Sequence, residues 1–185
     1  MKKFTLFLSA IAFTAFLLQS CDKVKDVVKA NVDVNSTELA FDIPPVDNTE
    51  PNAALGAFTA NVNVDSIIKA ANSKLGAGNI TNAKLTSMSI TLLNNDDTTN
   101  FANLESCSVS LSSNNKTDLV VIASALNNPN TPASYLDLNP NTDIELKDYL
   151  NATTLNYSLS GKMRTPTKHV LKAKATIKYA LTVSL

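Results

Sequence analysis

"LKAKATIKYALTVSL", residues 171–185, decides the fold. Leu171, Ala173, Ala175, Ile177, Tyr179, Leu181, Val183 and Leu185 are apolar, and Lys172, Lys174, Thr176, Lys178, Thr182 and Ser184 interleave with them. A period of two sends successive side chains to opposite faces of an extended chain, so this stretch reads as a strand with one face in a core and the other in water. The same alternation recurs upstream in Leu155-Tyr157-Leu159, in Met88-Ile90-Leu92 and in Cys107-Val109-Leu111, and it places Cys107 on an inward face. Leu119 to Ala125 (LVVIASA) is apolar throughout and is expected to be a central strand buried on both faces.

Polar breakers separate these segments: PPVDNTEPN at 44–52, NNDDTTN at 94–100, SSNNK at 112–116, NNPNTP at 127–132 and RTPTK at 164–168. Asn, Asp and Ser favour turns because their side chains hydrogen-bond the local backbone, and Pro because its φ is fixed. Short strands at this spacing predict a mainly β, antiparallel β-sandwich, immunoglobulin-like or jelly-roll-like, occupying residues 31–185 as a single domain. One segment departs from the pattern. In Asp65 to Gly76 (DSIIKAANSKLG), Ile67, Ile68, Ala71 and Leu75 share a helical face, with Asp65 as the expected N-cap and Gly76 just past the end. That predicts one short helix closing an end of the sandwich, and a second helical turn is expected at 147–151.

The N-terminus has three parts: Met1-Lys2-Lys3, the apolar run Phe4 to Leu18, and Gln19-Ser20 before Cys21. The run is shorter than the roughly 18 residues of a spanning helix and carries basic residues only on its leading side, so it reads as an export signal. Leu18-Gln19-Ser20-Cys21 resembles the lipobox of bacterial lipoproteins, in which a Leu three positions before the Cys and a small residue just before it mark the cleavage site. The resemblance covers residues 1–21. It implies that residues 1–20 are removed as a signal peptide and that the Cys21 sulfur carries a diacylglycerol. Its new α-amino group would carry a further fatty acid such as palmitate, making the lipid bilayer a partner. Residues 21–30 are then a lipidated tether lifting the domain off the membrane, and several acyl chains anchor it stably at roughly 0.8 kcal/mol per buried CH₂. Asp22 resembles the inner-membrane retention signal of enteric bacteria, but Lys23 is not its usual companion. The expected location is the cell envelope at the outer membrane, with the periplasmic and surface faces both open.

Removal of residues 1–20 takes two lysines and no acids from a chain with 16 basic and 16 acidic residues. The near-neutral remainder has no nucleic-acid footprint. Four of the seven Phe lie in the export segment and there is no Trp, so the core must be built from Val, Ile, Leu and Ala. With Cys21 thioether-linked, Cys107 has no intramolecular partner and reads as a small buried apolar residue.

Chemistry-bearing groups are sparse. His169 is the only histidine and is expected at the exposed start of the last strand. No Ser sits in a G-x-S-x-G turn, and Gly76-Ala77-Gly78 follows a helix instead of preceding one, so it cradles no phosphate. Asp33 to Glu38 lacks the Gly and Glu of a calcium loop and reads as the polar face of a strand. Asn94-Asn95-Asp96-Asp97 could converge its oxygens on a cation, but reads first as a solvated hairpin. The Asn-x-Ser/Thr triplets at Asn35, Asn79, Asn115, Asn151 and Asn156 are expected by chance in a chain this rich in Asn and Thr. Asp97-Thr98-Thr99 resembles the short O-glycosylation motif of some bacterial envelope proteins, which implies modification at Thr98; Asp65-Ser66-Ile67 is a poorer match. The lysines Lys172, Lys174 and Lys178 are expected to keep an exposed strand face or edge from pairing with another chain.

Beyond the lipobox, the segment order, with "NFANLES" at 100–106 and "DIELKDYLN" at 143–151, loosely resembles small envelope lipoproteins of uncharacterised function. The expectation is a non-catalytic, membrane-anchored envelope lipoprotein with a binding or structural role, using no cofactor or metal and no catalytic residue, with an envelope protein or glycan as partner. The alternative is a carrier or sensor of apolar ligands held in a cavity between the sheets.

Overall fold

The terminal strand organises the whole sheet. In a computed structural model, which describes residues 29 to 185 apart from 37 and 48, Leu171–Ser184 (β9) is an interior strand whose odd residues are buried from end to end. The export segment, Cys21 and most of the tether lie outside the described residues. The other strands are β1 (Lys29–Asn35), β2 (Leu39–Ile43), β3 (Ala53–Asn61), β4 (Ile80–Leu92), β5 (Leu104–Ser113), β6 (Val120–Ala125), β7 (Tyr135–Pro140) and β8 (Thr154–Met163), with helices α1 (Val64–Ala71) and α2 (Lys147–Leu150). The hydrogen-bonded order is β1-β9-β4-β7-β6-β5-β8-β3, with β2 also on β9, and all pairings are antiparallel.

The sheet curls into a sandwich-like half-barrel. Strand β7 links its two halves, pairing through Tyr135 to Leu138 with β4 and through Asn139 and Pro140 with β6. On β9 the small residues are matched to bulk on the partner strand: Ala173 lies opposite Phe41 and Ala175 opposite Leu39. At the seam between β2 and β3, Gly56 has φ +134°, and a Cβ there would come within 2.8 Å of the Asp42 carbonyl oxygen, so only glycine permits this approach. Phe41, Phe58 and Tyr157 stack at centroid distances of 4.6 and 4.9 Å, and the Tyr157 hydroxyl meets that of Tyr179 at 2.8 Å. Because β8 and β9 belong to opposite halves, this column bridges the core. The aliphatic composition of residues 21–185 had hidden how much of that bridge is aromatic.

Strand directions divide the molecule into two poles. Segments 44–52, 93–103, 126–134 and 164–170 emerge together at what we call the loop pole. Segment 62–79 with α1, segment 141–153 with α2, the start of β1 and the end of β9 lie at the opposite, helical pole; Lys29 pairs there with Ser184.

Several expectations change. Strand β1 starts at Lys29, two residues inside the stretch read as tether. The first helix is capped by Asn63, whose Oδ1 accepts from the Ser66 amide at 3.0 Å, and it stops at Ala71 with Asn72 as its C-cap. Asp65 turns away instead, accepting from the Ala77 amide at 3.0 Å and pairing with Lys69 at 2.6 Å; both contacts hold its carboxyl below the usual carboxylate range. The segment 119–125 is not buried on both faces. A bulge between β5 and β6 puts Ile122 and Ala123 inward in succession, while Leu119 (66 %) and Val121 (45 %) are exposed. Strand β9 is no edge, and two of its three lysines answer carboxylates on β2 and just before it, Lys172 to Asp42 at 3.5 Å and Lys174 to Glu38 at 2.5 Å, while Lys178 is exposed.

Candidate functional site

The loop pole gathers most of the unusual polar chemistry. It is built by asparagines that end strands and then stand in for backbone. Asn94, just past β4, accepts from the Lys172 amide at 2.7 Å through Oδ1 and donates to the Val170 carbonyl at 3.0 Å through Nδ2, extending the β4–β9 ladder with a side chain. Asn100 and Asn103 flank a 3₁₀ turn: Asn100 accepts from the Ala102 amide at 2.9 Å, and Asn103 accepts from the Asn100 amide at 2.8 Å. Both are buried, and with Nδ2 groups on the Asp96 and Thr98 carbonyls they satisfy backbone that would otherwise be desolvated without partners.

Two further residues tie the loops together. Asn128, buried, donates to the Phe101 carbonyl at 2.7 Å and the Leu104 carbonyl at 3.0 Å. Arg164 donates to the carbonyls of Ala102 at 3.0 Å and Leu104 at 2.7 Å, and also to that of Asn128. It is the chain's only arginine. Its fixed fork of donors meets three carbonyls on two loops at once, where a lysine would supply one point. Thr167 completes the pole by exchanging bonds with Val46, donating its amide at 3.1 Å and accepting at its hydroxyl at 2.9 Å.

Asp96 is the acidic centre of the pole. Its Oδ1 accepts from the Thr98 amide, the Thr98 hydroxyl and the Thr99 amide, each at 2.8 Å. The Thr98 hydroxyl and amide, the Thr99 amide and the charge of His169 favour the ionised carboxyl and hold it below its ordinary range. His169 Nε2 lies 3.9 Å from the other oxygen, Oδ2. The structure thus brings together His169 and Asp96, which sequence spacing did not connect. Of the oxygens at 94–97 considered for a cation, Asn94 Oδ1 is engaged by strand backbone and Asp96 Oδ1 by its own loop. Among the described residues, no three His, Cys, Asp or Glu side chains gather to hold a metal ion. Thr98 is exposed on the loop, with its hydroxyl on Asp96. Glu38, from the other acidic stretch, serves Lys174, and Asp33 lies on the exposed face of β1.

Cys107 is buried at 3 % exposure, on the inward face its parity predicted, and burial pushes its thiol up to about 12. It lines an apolar void of about 30 Å³ between the halves, with Leu55, Phe101, Leu136, Leu159 and Met163 among its other walls. Ligand pockets run to roughly 300–1,000 Å³, so this space holds no acyl chain.

No protein-family model matches the chain, and no curated protein does. Two solved structures are similar to it in outline. One, from Desmodium yellow mottle tymovirus, has 12% sequence identity and a TM-score of 0.25, covering 86% of this chain and 83% of that one. The other, from turnip yellow mosaic virus, has 12% identity and a TM-score of 0.23, covering 86% of this chain and 96% of that one. At these scores the likeness carries no argument.

Proposed function

We propose that the chain is a membrane-anchored lipoprotein of the bacterial cell envelope, held at the outer membrane by an acylated Cys21, with a non-catalytic binding or structural role. The observation that carries this reading is Leu18-Gln19-Ser20-Cys21 at the end of a short apolar run. Two features of the fold support it. Strand β1 begins at Lys29 on one pole of the half-barrel, so that pole is where a tether from Cys21 would join the domain. Two of the charged groups at the loop pole are engaged in holding loops: Asp96 Oδ1 by the Thr98–Thr99 backbone, and Arg164 by three carbonyls. The carrier alternative gains no support from an inter-sheet void of about 30 Å³.

Replacement of the anchoring sulfur tests the reading. Cys21→Ser should abolish incorporation of labelled palmitate. It should either release the domain from the membrane fraction or leave an uncleaved precursor held by residues 4–18. Fatty-acid incorporation into the variant, or a free Cys21 thiol in the wild-type protein, would overturn it. Fractionation of the wild-type protein into inner and outer membranes tests the location.

A further inference from the structure

We infer that the helical pole is the surface of this domain that faces the lipid headgroups, and that the loop pole, with Asp96, Arg164 and His169, points away from the membrane. The inference rests on the lipid anchor at Cys21 and adds an orientation to it.

The geometry is a comparison of two lengths. Lys29 pairs with Ser184, at the far end of a 14-residue strand whose other end, Leu171, pairs with Ile43 beside the loop pole. At about 3.3 Å per residue that strand separates the poles by on the order of 40 Å. From Cys21 to Lys29 there are eight residue steps, which reach at most about 29 Å when fully extended. The anchor therefore cannot bring the loop pole to the bilayer unless the domain tips onto its side.

The charges of the helical pole agree. There exposed Lys29, Lys69, Lys74 and Lys147 are balanced by Asp65, Asp118, Asp143 and Asp148, which suits a zwitterionic headgroup surface and gives no strong electrostatic pull. Exposed apolar side chains do not separate the poles, since Leu93, Leu126, Tyr135 and Val170 lie at the loop pole and Leu119 and Leu185 at the helical one.

Energy transfer from a single dye to an acceptor lipid measures the orientation. The full-length, acylated protein is reconstituted in phosphatidylcholine vesicles as Lys74→Cys or Asn130→Cys, labelled with a maleimide donor; Lys74 and Asn130 are exposed and lie at the helical and loop poles respectively. With the poles about 40 Å apart, transfer from position 74 should exceed that from position 130 by at least about twofold. It should do so equally at low and high salt. Equal transfer from both positions, or more from 130, overturns the orientation while leaving the anchor intact. A protein that fails to associate with vesicles and carries no acyl group by mass overturns the anchor, and the orientation with it.

Discussion

At the residue scale, parity carried most of the information. Cys107, Val109 and Leu111 face inward as their spacing requires, and the consequence for Cys107 is chemical as well as steric. Burial disfavours the thiolate, the species that attacks alkylating reagents, and sets its titration near 12. Iodoacetamide at pH 8 should therefore leave Cys107 unmodified in the folded domain and label it fully in denaturant; rapid native labelling would shift β5 by one residue and turn its whole face outward. The same parity logic could not locate Arg164 or Asn128. Their role comes from loops 36 residues apart in sequence meeting at one pole, and no local pattern encodes that meeting. The one legible hint was compositional, a lone arginine placed in a turn.

At the element scale, the sequence was most legible where a strand has a single wet face and least where an element ends. The cap of α1 is a case in point. Asn63 and Asp65 are both good N-cap residues, and only the fold shows that the carboxylate is needed two residues further along, where it holds the Ala77 amide. The failed reading of β6 has a similar cause: an apolar run looks doubly buried, but with a bulge in the β5–β6 pairing Val121 faces outward. Strand β8 offers the sharpest test of how closely elements are packed. A Cβ on Gly161 would overlap the Ser106 carbonyl oxygen on β5 and come within 2.9 Å of Leu55 Cδ1 on β3. The obstacle on one side is backbone, which cannot rotate away. Gly161→Ala should destabilise the domain by about 1–3 kcal/mol, the cost of overpacking, while Gly78→Ala, which meets nothing within 4 Å, should not. Equal urea midpoints for the two variants would show that β5 and β8 yield more readily than their register implies.

At the scale of the whole molecule, a polar contact joins the two halves of the half-barrel in the core: the Tyr157–Tyr179 hydroxyl pair at 2.8 Å, both residues buried. Each hydroxyl is the other's hydrogen-bond partner there. Tyr157→Phe or Tyr179→Phe alone strands a buried hydroxyl and should cost about 1–3 kcal/mol, whereas the double substitution removes both polar groups and should cost less than the sum of the singles. The pair also fixes the alkaline limit of the fold. Burial raises Tyr157 to about 12, and burial together with the neighbouring phenol raises Tyr179 well above its ordinary value. Both groups are neutral when protonated, so the folded state retains protons that an unfolded tyrosine gives up near pH 10. The unfolded chain then binds fewer protons than the native one, and stability must fall as pH rises, being intact below the unfolded value and lost as pH climbs through the folded one. Cys107 adds to the same limb from a lower starting point, because an unfolded thiol ionises near pH 8.5. Urea midpoints measured from pH 7 to 12 should therefore hold level to about pH 8.5 and then decline. Cys107→Ala should delay the onset, and the double Tyr→Phe variant should flatten the decline above pH 10. A wild-type midpoint that stays level to pH 12 would mean that the hydroxyl pair is wet, and that the two halves do not close over it.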